Sequence, residues 1–155
     1  MGTAALDALT TAGIPHRVVH QQHVSSLAEA AAQAGVEHGD VIKTIVVRRA
    51  DDDYVFVLVP GDRAISWRKL RAVLGVNRLS MPDAATAKNA TGYERGTITP
   101  FGATTAWPVV ADERIVGRTV RLGAGASGVA VVLDADDAVR VLDAAVADVT
   151  DPAPG

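Results

Sequence analysis

Two runs of β-branched residues dominate the hydrophobic pattern in the first half of the chain. The runs VIKTIVVRR and YVFVLV occupy residues 41–49 and 54–59, and Asp51, Asp52 and Asp53 lie between them. β-branched and aromatic residues pack well on a pleated sheet, whereas aspartate favours turns. The pattern therefore predicts a β-hairpin with a short acidic turn.

Helices are predicted where small and apolar residues lie between capping signals. Ser26 and Glu29 are three residues apart, and Gly35 follows the apolar positions, a combination typical of a capped helix. Further helices are predicted over 3–12, 66–74, 83–91 and 134–146, and further strands over 15–20, 77–81, 107–110, 119–123 and 129–134.

The order of these elements indicates the fold class. Strands occur in adjacent pairs as well as alternating with helices, which argues against a regular parallel array. We expect an α/β fold in a single domain, with a mixed, mostly antiparallel central sheet flanked by helices. The domain is predicted over residues 1–150, and the proline-rich residues 151–155 are predicted to form a disordered tail.

The composition excludes several kinds of chemistry. The absence of cysteine excludes disulfides, a thiolate nucleophile and cysteine-bound zinc. Aromatic residues make up 4% of the chain, too few for a protein that reads single-stranded RNA by base stacking. The N-terminal segment does not resemble a signal peptide, and the apolar runs are too short for a membrane span. We therefore expect a cytoplasmic protein.

Charge is unevenly distributed along the chain. Residues 43–95 hold ten Lys/Arg and six Asp/Glu, a local charge of +4, whereas residues 112–155 hold four Arg and eight acids, a local charge of −4. A basic middle segment can contact phosphate. On charge alone, however, an ordinary mixed surface is the better interpretation.

Three patterns resemble functional motifs but lack the required context. The run GAGASG, residues 123–128, matches the dinucleotide-binding fingerprint, but a predicted strand follows it where a helix is needed. His20 and His23 are three residues apart with no third ligand at metal spacing, so no metal site is predicted. No serine lies in the G-x-S-x-G pattern of a nucleophile elbow.

The stretch TGYERGTITPFG, residues 91–102, has too many helix breakers for a helix and no apolar run for a strand. Gly92, Gly96 and Gly102 permit positive φ angles, and Pro100 fixes one φ angle. Such a loop can direct backbone N–H groups at an anion or a carbonyl oxygen. The alternative is a plain long connection.

Lys43 is a charged residue near the start of a strand rich in Val and Ile. Taken alone, it is best interpreted as a lysine that prevents pairing at a sheet edge. The alternative is a cation held on a rigid element beside a pocket, where it reaches a phosphate or a polar group of a substrate.

Taken together, these segments resemble a known family. The order VIKTIVV, TGYERGTITPFG and GAGASGVAVVLDADDAVRVL is similar to the YbaK and prolyl-tRNA synthetase-associated editing-domain superfamily, over roughly residues 3–146. The most specific element is the G-x-x-x-P pattern from Gly96 to Pro100, and the pair Lys43-Thr44 is the second. The free-standing YbaK branch, whose members deacylate Cys-tRNA(Pro), is the most similar.

The resemblance implies a trans-editing hydrolase that deacylates mischarged aminoacyl-tRNA, most specifically Cys-tRNA(Pro), without a protein nucleophile, metal or cofactor. It implies catalytic roles for Lys43 and for the backbone of Gly96. Hydrolysis would depend on positioning the ester, with a contribution from the substrate's thiol or a bound water. The implied substrate-binding residues are Thr44, Thr97, Ile98, Thr99, Pro100, Phe101, Gly102, Gly125 and Gly128.

Two positions differ from parts of this superfamily. Thr44 stands where some relatives have asparagine, and residues 127–129 lack the histidine that other relatives carry there. Both differences point away from the alanine-specific branches. The resemblance also predicts that residues 96–102 face Lys43 across one small pocket.

The partners implied are the 3′ end of an aminoacyl-tRNA and, as a candidate, prolyl-tRNA synthetase, with no DNA or membrane partner and with the oligomeric state left open. Three alternatives remain. One is a non-catalytic module that binds an amino acid or a tRNA 3′ end, and another is an editing enzyme for a different small amino acid such as alanine. The third is a structural protein whose loops have no chemical role.

Overall fold

The computed structural model describes residues 3–20 and 26–154. The helices in these residues are α1 (Ala4–Thr11), α2 (Leu27–Ala34), α3 (Trp67–Leu74), α4 (Ala84–Thr91) and α5 (Ala135–Leu142). The strands are β1 (His16–His20), β2 (Ile42–Ala50), β3 (Asp53–Pro60), β4 (Arg63–Ile65), β5 (Val109–Asp112), β6 (Thr119–Gly123), β7 (Val129–Asp134), β8 (Ala145–Ala147) and β9 (Thr150–Pro152).

These strands form three hydrogen-bonded sheets. The first is antiparallel, in the order β1-β7-β6, and the second is mixed, in the order β2-β3-β5-β8. In the second sheet, β2 and β3 form the predicted hairpin, whereas β5 is parallel to both β3 and β8. β4 pairs with β9 in a sheet of their own. The mixed α/β class with mainly antiparallel pairing is therefore confirmed, although the strands divide among three sheets.

β3 is buried on both faces and separates two hydrophobic cores. Phe56 and Leu58 belong to the larger core, which also includes side chains from α1, β6, β7 and α5. Val57 and Val59 point the other way and pack with Leu70 of α3 in the smaller core. Such two-sided burial is usual for a strand with a parallel neighbour, and it holds the hairpin rigidly in place.

The outer edge of β2 meets two other parts of the chain. Val41, directly before β2, forms a parallel bridge with Arg121 of β6, and this bridge joins the first two sheets. Near the hairpin turn, Arg48 forms an antiparallel bridge with Ser80. The segment 77–81 was predicted as a strand, and this bridge is the pairing that it makes.

The predicted capping signals are confirmed in α2 and α3. Ser26 and Ser66 accept hydrogen bonds from backbone N–H groups three residues later, and Gly35 and Gly75 end these helices in the left-handed conformation. α5 ends earlier than predicted because Asp143 adopts a positive φ of 51°. No helix among residues 3–20 and 26–154 is long and apolar enough to cross a membrane.

The prediction of a disordered tail from residue 151 is wrong at its start, since Thr150–Pro152 pair with β4. The reason lies in Asp112 of β5, a fully buried carboxylate. It accepts hydrogen bonds from the backbone N–H of Val149 at 3.2 Å and the hydroxyl of Thr150 at 2.9 Å. Arg63 of β4 donates from Nε to Thr150 Oγ1 at 2.7 Å. These contacts order a segment whose composition favours disorder.

Asp148 contributes a pH-dependent part of the stability of this region. Its carboxylate lies 2.9 Å from Nη1 of Arg114 and 3.1 Å from Nζ of Lys69. These two hydrogen bonds lower the pKa of Asp148 from 3.8 to about 2. A carboxyl whose pKa is lower in the folded state stabilises the protein above its unfolded pKa and loses that effect as the pH falls towards the folded pKa.

We therefore expect Asp148→Asn to lower the urea midpoint of unfolding at pH 7 relative to wild type. The difference between the two proteins should shrink as the pH falls from about 4 to about 2, since Asp148 then becomes protonated in the folded state as well. Urea titrations across this pH range measure the effect. A difference that is the same at pH 7 and at pH 2 would show that the ion pairs are not its source.

Candidate active site

A cleft of about 680 Å³ opens where β2 and β6 meet. Four segments line it: residues 41–44 at the start of β2, residues 94–98 of the long loop, Arg121 and Gly123 of β6, and residues 126–129 of the glycine-rich turn. Segments far apart in sequence therefore converge on one concave site of a size that suits a small-molecule group.

Lys43 stands at one wall of this cleft. Its Nζ donates a hydrogen bond to the backbone carbonyl of Arg63 in β4, at 2.7 Å. Partial burial lowers the pKa of Lys43 below its usual 10.5, and the carboxylate of Asp62 partly offsets that effect. An ammonium group has three N–H donors, so the bond to Arg63 fixes the side chain and leaves further donors for a ligand.

Thr44 lies next in the strand and faces the other side of β2, between Ile42 and Val46 of the larger core. Its Oγ1 is buried and has no hydrogen-bond partner in the described part of the chain. A buried hydroxyl without a partner is costly, so a ligand that bonds to Thr44 would relieve this cost. The structure thus places both members of the Lys-Thr pair in the cleft wall.

The loop wall presents backbone N–H groups. Gly96 has a positive φ of 89°, a conformation that favours glycine. The N–H of Thr97 is occupied, because it donates to the carbonyl of Glu94 at 3.0 Å. The N–H groups of Gly96 and Ile98 have no acceptor among the residues that the structure describes. Two residues of the cleft wall therefore have backbone N–H groups without a protein acceptor in the described portion of the chain, and such donors can stabilise an oxyanion.

The second half of the loop does not face Lys43, and the expectation that residues 99–102 line the pocket is wrong. Thr99 and Phe101 are 1% and 3% exposed, so their side chains fill the core. Pro100 is also buried, and the hydroxyl of Tyr93 donates to the carbonyl of Phe101 at 2.6 Å. Gly102 lies against the backbone of α1, where an added Cβ would be 2.4 Å from a carbonyl oxygen.

The two glycines predicted in the late turn have different positions. Gly128 lines the cleft. Gly125 is outside it: its N–H donates to the carbonyl of Thr97 at 2.9 Å, and an added Cβ would lie 2.6 Å from the ring of Tyr93. Gly125 therefore holds the loop wall in place and does not line the space that a ligand would occupy.

Arg121 is a cleft residue that the sequence did not indicate. It lies between buried Val120 and Leu122 in β6. This alternation of buried apolar and polar residues is typical of a strand residue on the protein surface. This surface of β6, however, lies beside the start of β2, where residue 121 bridges to Val41, and Arg121 lines the cleft, where burial lowers the pKa of its guanidinium. With Lys43 and Arg95, it gives the cleft three basic residues against the single acid Glu94.

No metal site accompanies these groups in the described residues, since no three His, Asp or Glu side chains there are placed to hold an ion. His20 is exposed at the end of β1, and His23 lies outside the described residues. The candidate chemistry is therefore that of cations, a hydroxyl and backbone amides.

Comparisons with known proteins show which family and which fold this chain resembles. A sequence model described as the aminoacyl-tRNA editing domain matches residues 21–141. Over 98 residues the chain is 34% identical to a proline–tRNA ligase of Thermosipho melanesiensis, an alignment that covers 63% of this chain and 17% of the ligase. The chain thus spans about one sixth of such a relative.

Two further comparisons cover most of the chain. EbsC of Enterococcus faecalis, named as a candidate Cys-tRNA(Pro)/Cys-tRNA(Cys) deacylase, is 26% identical over 132 residues, which are 84% of this chain and 79% of EbsC. The crystal structure of a candidate trans-editing enzyme for prolyl-tRNA synthetase has a TM-score of 0.88 at 24% identity. That alignment covers 97% of this chain and 99% of the other, so the fold is shared.

Proposed function

Because the chain belongs to the aminoacyl-tRNA editing domain family, we propose that it hydrolyses the ester bond of mischarged aminoacyl-tRNA, with Cys-tRNA(Pro) as the preferred substrate. The observation that carries the proposal is the pairing of Lys43 with two unoccupied backbone donors, those of Gly96 and Ile98, in one cleft. The name of EbsC supports cysteine as the amino acid removed.

The groups in the cleft would have two kinds of role: some stabilise the charge that develops during hydrolysis, and others bind the substrate. The N–H groups of Gly96 and Ile98 would stabilise the oxyanion that forms when the ester carbonyl is attacked. The ammonium of Lys43 would orient the ester or contact the terminal nucleotide, and Arg121 would neutralise the phosphate that links this nucleotide to the next. Thr44 would bond to a polar group of the aminoacyl moiety.

The nucleophile would come from outside the protein chain, since the sequence has neither a cysteine nor a serine in a G-x-S-x-G elbow. Either a water molecule or the thiol of the cysteinyl group attacks the carbonyl carbon and forms a tetrahedral oxyanion. The bond from that carbon to the ribose oxygen then breaks. The ribose oxygen gains one proton, and the nucleophile loses one. The tRNA leaves with a free 3′ end. Attack by water releases the amino acid, whereas attack by the thiol releases its internal thioester.

Editing by a separate protein meets a physical need. One methylene group distinguishes two amino acids by only about 1–3 kcal/mol in an apolar pocket, so a synthetase for proline also accepts small competitors. A second site can hydrolyse the wrong product. We therefore also propose a cytoplasmic setting and prolyl-tRNA synthetase as the partner beside which this chain acts in trans.

The test is a panel of deacylation assays with tRNA(Pro) charged with cysteine, alanine or proline. We expect fast release of cysteine relative to spontaneous hydrolysis, slower release of alanine and retention of proline, measured by the loss of labelled aminoacyl ester. No release above the spontaneous rate for any ester would contradict the enzyme. Binding of aminoacyl-tRNA without turnover would instead establish the non-catalytic module.

A further inference from the structure

A second concave surface lies at the hairpin end of β2, away from the cleft. Its volume is about 620 Å³. Four arginines dominate its walls, and we call this surface the arginine groove. It is lined by Arg48, Arg49, Arg71 and Arg78, together with Ala50, Asp51, Asn77, Leu79 and Ser80.

Local structure brings these arginines together. A register shift between Arg48 and Ala50 interrupts the β2–β3 pairing, as in a β-bulge, which changes the direction of side chains. Arg71 lies in the last turn of α3, where the helix dipole favours a cation. Arg78 follows that helix in the segment that bridges to β2 through Ser80.

The charges in the groove are only partly neutralised. Arg48 forms an ion pair with Asp51, and Arg49 contacts Asp53 at 2.8 Å. Arg71 and Arg78 have no ion pair or side-chain hydrogen bond within the described ranges 3–20 and 26–154. The lining holds four guanidinium groups and one carboxylate. Arginine forks match phosphate oxygens in geometry as well as in charge.

The groove and the cleft lie along the same edge of β2. Lys43 belongs to the cleft and Arg48 to the groove, and five residues of strand separate them by about 17 Å. A stacked nucleic-acid strand covers that distance in about five nucleotides. A tRNA whose terminal ester lies in the cleft would therefore pass the groove about five nucleotides from its 3′ end. That position lies beyond the unpaired 3′ end, in the acceptor stem.

We propose that the arginine groove binds the phosphodiester backbone of the tRNA acceptor stem while the aminoacyl ester occupies the cleft. This inference rests on the proposed function. Backbone contacts carry no sequence information but fix orientation and supply affinity. The groove therefore binds every tRNA that the cleft can accept, and the cleft selects the amino acid.

The test is the double variant Arg71→Glu/Arg78→Glu, assayed on two substrates. One is Cys-tRNA(Pro), and the other is 2′(3′)-O-cysteinyladenosine, which carries the ester without the RNA. We expect kcat/KM for Cys-tRNA(Pro) to fall on the order of tenfold or more at low salt, and kcat/KM for cysteinyladenosine to stay at the wild-type value. Loss of two phosphate contacts should also reduce the slope of log affinity against log salt by roughly 1.5.

The matched control is Arg68→Glu/Arg140→Glu, which changes the net charge equally at exposed positions of α3 and α5 outside the groove and the cleft, and we expect it to behave as wild type. An equal loss on both substrates, or no loss on either, would overturn the proposal. A loss that appears only when prolyl-tRNA synthetase is present would assign the groove to a protein partner instead.

Fluorescence anisotropy with uncharged tRNA keeps this test separate from the proposed function. If wild type hydrolyses neither ester but binds tRNA, weaker binding by the Arg71→Glu/Arg78→Glu variant still supports the groove, and the enzyme alone is rejected. Unchanged binding by this variant would overturn the groove whatever the result of the hydrolysis assays.

Discussion

Replacing Lys43 with alanine is expected to lower kcat/KM for Cys-tRNA(Pro) by about 100-fold, the loss that follows when a reacting ester is no longer held in position. The reason is geometric. The ammonium is fixed by the carbonyl of Arg63 at 2.7 Å, and Lys43 lines the cleft together with Gly96. No other lysine of the chain lines this cleft. Single-turnover deacylation assays measure the loss.

Companion variants separate chemistry from folding. Lys43 is an exposed side chain with one hydrogen bond, so its removal should change the free energy of unfolding by about 1 kcal/mol or less. Lys43→Met keeps the aliphatic length and should lose activity like Lys43→Ala, whereas Lys43→Arg keeps the charge and should retain part of it. Full activity in Lys43→Ala would remove the role assigned to this residue.

Replacing Asp112 with alanine is expected to cost about 3–5 kcal/mol of folding free energy, the range for breaking a buried charged network. Asp112 is fully buried. It accepts hydrogen bonds from both the backbone and the guanidinium of Arg114, from the N–H of Val149 and from the hydroxyl of Thr150. All of these donors would lose their acceptor at once. Urea or guanidinium unfolding monitored by circular dichroism measures the change.

Glu113→Ala is the matched control for this prediction. Glu113 is the next residue, carries the same charge and is exposed, so its removal should change the stability by about 0.5 kcal/mol or less. If Asp112→Ala cost no more than Glu113→Ala, the buried network would not be the element that holds β9 in place.

Local signals predicted the parts of the fold that depend on neighbouring residues. The capped helix after Ser26, the β2–β3 hairpin and the stop at Gly35 follow from side chains that act within a few residues. The order of Thr150–Pro152 could not be predicted in this way. It depends on Asp112, which lies 38 residues away in the chain, and neither a proline-rich composition nor hydrophobic periodicity reports such a contact.

The residues of the candidate site were likewise predicted only in part. Family resemblance indicated Lys43 and Gly96, and both line the cleft. It did not indicate that Phe101 turns into the core, because glycine and proline spacing describes where a loop bends and not which of its side chains are buried. Arg121 was missed because the contact that brings β6 beside the start of β2 joins residues 80 positions apart in the chain, Val41 and Arg121.

The pairing of β9 with β4 has a consequence for the cleft. Residues 150–155 contain no candidate catalytic group, so their deletion would ordinarily be classed as harmless. Yet Thr150 bonds to Arg63 through Nε, and the carbonyl of Arg63 holds the ammonium of Lys43. We therefore expect deletion of residues 150–155 to displace Arg63 and Lys43 and so to weaken the hydrolysis proposed for the cleft.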